Sequence, residues 1–299
     1  MKVLLAGSNS YIGKRLIPVL LEKGHEVVCL VRNKEFFFQQ NCYNSRVSII
    51  GGDLLRQRGI EAFPEDIDAA YYLVNSLTQT SGFAALEALS AQNFIDALNR
   101  TACRQIITLS EICNELTPSA ISRINVEDIL SSGKADLTVL QTTMIIGSGS
   151  IALELFNALT KKSPIVLVRN WIKAQTQPIY TGDVLGYLES SLLNTKTYNR
   201  IFDIGGPEIL PFKQMLLIYI AIFKDFKPSI VTLPFLNDKL TSYLLNMLSP
   251  VSYPTSQTLV ENLKNDTICH DNSIMDIIPR RCLTFKESLR MAQELPVAV

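Results

Sequence analysis

Gly7, Ser10 and Gly13 stand at equal spacing in Gly7-Ser8-Asn9-Ser10-Tyr11-Ile12-Gly13, directly after the apolar run Val3-Leu4-Leu5-Ala6 and just ahead of Leu16, Val19 and Leu20 at helical spacing. A strand that turns on glycine into a helix aims the unpaired first-turn N–H groups at one point, a geometry suited to a phosphate or pyrophosphate. Gly7 permits the tight turn, and Gly13 lets the helix sit close to the sheet. Position 10, where a further glycine would give the closest backbone approach, is Ser10, whose hydroxyl can itself donate to phosphate. Asn9, Tyr11 and Ile12 complete the loop. With a second strand, Glu26–Val31, following Gly24, the unit points to dinucleotide binding. The alternative is a degenerate domain of this kind whose loop no longer holds a ligand.

Two further positions refine that chemistry. The second strand ends in Val31-Arg32-Asn33-Lys34, where a carboxylate would select a bare ribose hydroxyl and a guanidinium would grip a 2′-phosphate. Arg32 therefore predicts NADP(H) as the preferred cofactor, with NAD(H) possible; a solvated loop cation is the alternative. Asp53, after Val47-Ser48-Ile49-Ile50-Gly51-Gly52, ends the next strand beside Leu54. Its carboxylate is placed to accept a hydrogen bond from an adenine amino group, or simply to cap a helix.

These residues need a frame that brings strand ends to one edge. Short β-branched runs at about 2–6, 26–31, 47–50, 69–74, 105–109 and 137–141 alternate with helical periods such as Phe83, Leu86, Leu89, Phe94 and Leu98. That is the form of repeated βαβ units, an α/β Rossmann doubly wound parallel sheet. The reading divides the chain into an NAD(P)-binding domain over 1–150 and a smaller α+β substrate or cap domain over 151–299. Segments near 176–190 and 200–206 return to the first body. No internal repeat is visible.

Composition narrows the function classes. Lys+Arg and Asp+Glu both number 28, so the basic surplus that draws a chain onto nucleic acid is missing. The longest apolar run, Met215–Phe223, is nine residues, about half of the roughly 20 that a membrane-spanning helix needs. The amino terminus lacks the pattern of a secretory signal, so a reducing, cytoplasmic setting with six free thiols is the expectation. The cysteines form no Cys-x-x-Cys pair and the two histidines, His25 and His270, lie far apart, so no zinc site is expected.

Taken in order, Gly7 through Gly13, Gly51-Gly52-Asp53-Leu54, Ala70-Tyr71-Tyr72-Leu73-Val74-Asn75-Ser76 and Leu109-Ser110 resemble the extended and atypical short-chain dehydrogenase/reductases. The likeness is strongest to their NmrA-like, NAD(P)-binding epimerase/dehydratase-like branch. It continues through Met144-Ile145-Ile146-Gly147-Ser148-Gly149, Gln177-Pro178-Ile179, Gly182-Asp183-Val184 and Phe202-Asp203-Ile204-Gly205-Gly206-Pro207. The resemblance implies a Rossmann domain binding NAD(P)(H), with a carboxy-terminal domain closing a substrate cleft. It implies that Asn75 and Ser76 pass near the cofactor ribose and that Ser110 holds a substrate hydroxyl or carbonyl.

Active relatives use a tyrosine to exchange the proton and a lysine four residues on to lower its pKa and hold the nicotinamide ribose. The resemblance puts these positions on Ser119 and Arg123. Arg123 can still contact the ribose; Ser119 has no readily ionised hydroxyl. Ser110, Tyr71, Tyr72 and Tyr180 are the substitutes to consider, against ordinary packing for the tyrosines. The expected function is an oxidoreductase acting on a small carbonyl or alcohol by a non-standard proton relay. The alternatives are a non-catalytic NADP(H) sensor or assembly factor with a protein partner, and a sugar-nucleotide epimerase or dehydratase. Trp171 is a candidate for substrate contact and the amphipathic stretch Lys239–Leu248 for lining an apolar substrate pocket or touching a membrane surface, with packing as the plainer reading.

Overall fold

A computed structural model of the chain describes residues 1–40, 45–56, 60, 62–74, 82–112, 117–160, 165–168, 173–225, 229–232, 246 and 264–294. Its strands are β1 (Lys2–Ala6), β2 (Glu26–Val31), β3 (Val47–Gly51), β4 (Ala69–Tyr72), β5 (Gln105–Glu111), β6 (Asp136–Thr142), β7 (Ile145–Ile146), β8 (Ile165–Val168), β9 (Gln175–Thr176), β10 (Ile179–Tyr180), β11 (Arg200–Ile204), β12 (Leu210–Pro211) and β13 (Ser229–Thr232). The helices are α1 (Tyr11–Glu22), α2 (Lys34–Gln40), α3 (Phe83–Leu98), α4 (Pro118–Ser131), α5 (Ile151–Thr160), α6 (Thr181–Ser190), α7 (Phe212–Phe223), α8 (Ile274–Ile277) and α9 (Phe285–Glu294).

Every residue of β1 after Lys2 is buried, and so is every residue of β2 after Glu26. Strands with no polar face must be covered on both sides, as in a parallel sheet sandwiched by helices. Seven strands hydrogen-bond in the order β11-β6-β5-β4-β1-β2-β3, all in parallel. Alternation along each strand splits the core. Val3 and Leu5 face α1 and α6, whereas Leu4 and Ala6 join Phe94 and Leu98 of α3 and Leu130 of α4. On α1 the predicted stripe is the packed face; Leu16 and Leu20, fully buried, each contribute about 1.5–3 kcal/mol of transfer free energy.

Because β1 and β4 are neighbours while the chain leaves β1 toward β2, the order reverses between them. A cleft opens beyond the carboxyl ends of strands at such a switch point. The ends of β1, β2, β3 and β5 present Gly7, Arg32, Asp53 and Ser110 along this one edge.

The second half is tied into the same body. β11 pairs along the whole of its length with Thr138–Thr142 of β6. Buried Gln105 of β5 donates from Nε2 to Thr138 Oγ1 at 2.8 Å and to the Ser191 carbonyl at 3.0 Å, fastening the end of α6 to the sheet. Gly206 lies where any Cβ would come within 2.0 Å of the Pro178 carbonyl oxygen, and the Gln177 side-chain amide donates to the Gly206 carbonyl at 2.7 Å. A separate apolar core is built from Phe156 of α5, Phe212 and Tyr219 of α7 and Phe285 and Leu289 of α9. Its aromatic rings stack at centroid distances of 5.2 and 5.4 Å around Phe156.

Candidate cofactor and active site

The loop between β1 and α1 is close-packed at both glycines. Gly7 adopts φ +90°, and a Cβ there would stand 2.3 Å from the Leu73 carbonyl oxygen. A Cβ on Gly13 would stand 2.2 Å from the Gly7 carbonyl oxygen. The backbone therefore folds into a cradle that side chains would fill. Ser10 is the N-cap of α1: its Oγ accepts from the Gly13 N–H at 3.0 Å, and its own N–H donates to the Gly7 carbonyl at 2.9 Å. The amides of Tyr11 and Ile12 lie in the first helical turn, where no intrahelical acceptor exists, and Asn9 is exposed beside them. This cradle of glycines and helix-start amides fits a pyrophosphate. The helix ends as locally as it starts: Gly24, at φ +83°, donates to the Leu21 carbonyl and His25 to the Leu20 carbonyl, each at 3.0 Å.

The cap separates two effects at Ser10. Ser10→Gly should change stability by only a few tenths of a kcal/mol, whereas Ser10→Asp retains a good cap and places a carboxylate beside the phosphates. Thermal unfolding of Ser10→Asp should thus match wild type while calorimetry shows weaker NADPH binding. Undiminished affinity would mean that the phosphates bind elsewhere.

Arg32 is exposed at the end of β2, immediately before Asn33, whose Oδ1 accepts from the Phe36 N–H at 3.0 Å to start α2. Asp53 accepts from the Leu55 N–H through Oδ1 at 3.1 Å, capping a turn rather than a described helix. Leu54 is buried, and its carbonyl accepts from the Asn93 side-chain amide at 2.7 Å, which fixes this corner against α3. Asn75 and Ser76 lie outside the described residues, as do Trp171 and, apart from Asn246, the stretch 239–248.

At the end of β5 a charged cluster meets the start of α4. Arg123 donates to Glu111 Oε2 at 2.6 Å, both side chains being partly shielded. One helical turn further on stands Glu127, half-buried on α4. Burial raises the Glu127 carboxyl above its ordinary pKa; Ser110 and Arg123 act in the opposite sense, and Asp128 adds to the rise. Ser122, on the neighbouring face, donates to Glu87 Oε2 of α3 at 2.5 Å. Ser119 shares a hydrogen bond of 3.0 Å with Thr117, the N-cap of α4, and thus belongs to the helix start.

A second polar knot joins the loop to β7 and the start of α6. The Tyr11 hydroxyl lies 2.9 Å from Thr181 Oγ1, and Thr181 donates to the Ile146 carbonyl at 3.1 Å. Arg15 stacks on the Tyr11 ring at 3.9 Å and donates to the Ser148 carbonyl at 2.7 Å. Gly147 is required here, since a Cβ would stand 2.6 Å from the Tyr11 hydroxyl. Burial raises the Tyr11 pKa, with Thr181, Arg15 and Ser150 acting against it.

Of the three tyrosines that could replace the proton donor, two are held in the core. The Tyr71 hydroxyl donates to the Leu188 carbonyl at 2.9 Å in a fully buried position, and burial pushes its pKa far up. Tyr72 donates to Ser90 Oγ at 3.1 Å, its pKa pushed up to about 12 by burial. Tyr180 is half-buried at the start of α6, and its pKa is raised by burial and then by neighbouring Tyr11. The thiols of buried Cys29 and Cys103 and of half-buried Cys269 are likewise pushed up to about 12 by burial.

Glu111, Glu127, Arg15 and Thr181 emerge only from the folded arrangement. The available signals were the four-residue spacing of Arg123 and Glu127, which puts both on one helix face, and the placement of Glu111 beside Ser110 at a strand end.

Comparison with known proteins agrees with this geometry. Residues 7–143 match the family model described as NAD(P)H-binding. No curated protein matches in sequence. Among solved structures, UDP-glucuronic acid 4-epimerase from Bacillus cereus, in complex with UDP-glucuronic acid and NAD, superposes with a TM-score of 0.73 at 14% identity, covering 98% of each chain. A nucleoside-diphosphate-sugar epimerase from Staphylococcus aureus gives 0.71 at 14% identity, covering 97% of this chain and all of the other. A short-chain dehydrogenase/reductase superfamily protein from Agrobacterium tumefaciens with bound NAD gives 0.68 at 13%, over 98% and 96% of the two chains. These likenesses show a common fold along the whole chain.

Proposed function

From an NAD(P)-binding domain of the short-chain dehydrogenase/reductase type, we propose an oxidoreductase that binds NADP(H) and acts on a small carbonyl or alcohol without the usual tyrosine. The observation that carries this reading is the placement of Ser110 and the Arg123–Glu111 ion pair at the end of β5. They stand on the same sheet edge as the glycine cradle. A dinucleotide whose pyrophosphate rests on residues 7–13 would lie along that edge, and its nicotinamide would supply or accept the hydride. Arg32 would then meet the 2′-phosphate, Asp53 and Leu54 the adenine, and Arg123 the nicotinamide ribose. Ser110 would hold the reacting oxygen.

A second reading is favoured by the Arg123–Glu111 ion pair, because it engages the residue that the resemblance puts at the lysine position of active relatives. Under it the pocket reports NADP(H) to a protein partner and performs no hydride transfer. The sugar-nucleotide reading draws on neighbours of the same fold that bind UDP-sugars and NAD, but needs the proton chemistry that Ser119 cannot provide.

Titration of NADPH followed by a panel of aldehydes, ketones and quinones separates the first two. The enzyme reading expects nucleotide binding and loss of reduced-nicotinamide absorbance with at least one class. Bound NADPH that persists unoxidised throughout the panel sinks it in favour of the sensor. Both readings expect Arg123→Ala to weaken NADPH binding by about one to two decades, the equivalent of one charge-assisted hydrogen bond. Ser119→Ala should leave any turnover intact; a loss of several orders of magnitude would relocate the chemistry to Ser119.

A further inference from the structure

We propose, resting on the reading that residues 7–13 hold the pyrophosphate, that the Tyr11 side chain is a positioning residue for the nucleotide: anchored on Thr181, it holds the helix-start amides in their phosphate-facing arrangement. Tyr11 is the first residue of α1 after the Ser10 cap, so its side chain and the cradle amides move together. Thr181 opens α6 and is buried, 170 positions further along the chain. The order of the protons follows from counting donors. Thr181 has one hydroxyl proton and gives it to the Ile146 carbonyl at 3.1 Å, so in the 2.9 Å contact Tyr11 donates and Thr181 Oγ1 accepts.

Arg15 closes the other side of the ring. Its Nη1 donates to the Tyr11 carbonyl at 3.1 Å, its Nη2 to the Ser148 carbonyl at 2.7 Å, and its guanidinium carbon lies 3.9 Å from the ring centroid. The turn that receives these contacts is itself fixed. The Ser150 N–H donates to the Gly147 carbonyl at 2.9 Å, and Ser150 Oγ accepts from the Gly147 and Leu153 N–H groups at 3.3 Å each, at the start of α5. A Cβ on Gly147 would lie 2.2 Å from Thr181 Oγ1 and 2.6 Å from the Tyr11 hydroxyl, so the phenol is seated directly on backbone. The phosphate loop is thus tied to β7, the 147–150 turn and α6. If the first turn of α1 samples other arrangements, a nucleotide binds only the ordered fraction, and its apparent Kd rises as the inverse of that fraction. The Tyr11 anchor keeps that fraction high before the nucleotide arrives.

Tyr11→Phe keeps the ring and its Arg15 contact and removes only the donated hydrogen bond. It should weaken NADPH binding about three- to tenfold, the equivalent of one neutral hydrogen bond. Thr181→Val should weaken it at least as much, since it takes the acceptor from a half-buried hydroxyl, and Thr181→Ser, which keeps the oxygen, should bind as wild type does. The double variant Tyr11→Phe with Thr181→Val should lose less than the sum of the two single losses. Two further readouts separate positioning from general weakening. 2′-AMP carries a phosphate for Arg32 and no pyrophosphate, so its affinity should be the same in wild type and Tyr11→Phe. In nucleotide-free protein the Gly13 and Lys14 amides, both bonded to Ser10, should exchange with deuterium faster in Tyr11→Phe. Undiminished NADPH affinity in Tyr11→Phe, an equal loss for 2′-AMP, or unaltered exchange at Gly13 and Lys14 would each overturn the positioning role while the phosphate cradle stands. Failure of wild type to bind any nicotinamide dinucleotide overturns the cradle reading and the positioning role with it.

Discussion

Gly7→Ala is expected to cost at least about 3 kcal/mol of stability, to lower Tm by roughly 5–10 °C and to eliminate measurable NADPH binding. Two costs combine. The residue sits at φ +90°, a left-handed conformation that an L side chain adopts at a penalty of about 1–2 kcal/mol. The new Cβ also falls 2.3 Å from the Leu73 carbonyl oxygen and 2.6 Å from its carbon. That carbonyl cannot swing aside cheaply, because the Leu73 N–H is bonded to the Ala6 carbonyl at 2.9 Å and its side chain is buried. Relief must come from moving the end of β4 or lifting the loop, and either motion disperses the amides that face the phosphates. Gly24→Ala provides the control. Gly24 has φ +83° with nothing within 4 Å of an added Cβ, so it carries the strain without the clash and should cost only about 1–2 kcal/mol. Circular dichroism melts with calorimetry on both variants decide the matter. Equal losses in the two, or NADPH binding retained in Gly7→Ala, would show that the cradle is not close-packed around a ligand site.

Arg32→Glu is expected to reverse the cofactor preference. Wild type should bind NADPH more tightly than NADH, since an exposed guanidinium at the end of β2 can pair with a 2′-phosphate. Losing a charge-assisted hydrogen bond corresponds to about 1.5–3 kcal/mol, or roughly one to two decades in Kd, and the introduced carboxylate adds repulsion. NADH carries no such phosphate, so its affinity should hold or improve as the new carboxylate accepts from the ribose hydroxyls. Raising salt should weaken NADPH binding to wild type more than NADH binding. Equal wild-type affinities for the two nucleotides would remove Arg32 from the site.

Much of the frame was readable from residue order because it is local. The Val3–Ala6 run, the stripe of Leu16 and Leu20 and Gly24 define a strand, helix and strand whose hydrogen bonds close within neighbouring residues. Small differences appear at strand ends: β4 stops at Tyr72 rather than continuing to 74, where Val74 turns out to solvent, and β5 runs on to Glu111 through its pairing with Thr142. Ser10 was placed in the loop by spacing, but its capping bond to Gly13 depends on the turn made by Gly7. The charged cluster was hidden for a different reason. Arg123 meets Glu111 only after the chain has crossed from the end of β5 into α4, and no sequence period encodes that crossing.

The pairing of β11 with β6 constrains how the protein can be made. A ribosome releases the glycine cradle and the Ser110–Arg123 cluster well before residues 200–204 emerge. Through that interval, several seconds at about 5–20 residues per second, Asp136–Thr142 is an open edge with the alternate hydrogen-bonding groups of a strand unsatisfied. The Gln105 amide also waits for Ser191 and Leu193, its partners from the later chain. A nascent chain can thus carry the glycine cradle while its sheet remains vulnerable to intruding strands. Early capture of a dinucleotide at the end of β1, three strands from the open edge of β6, would hold the finished part in register until the last strand docks.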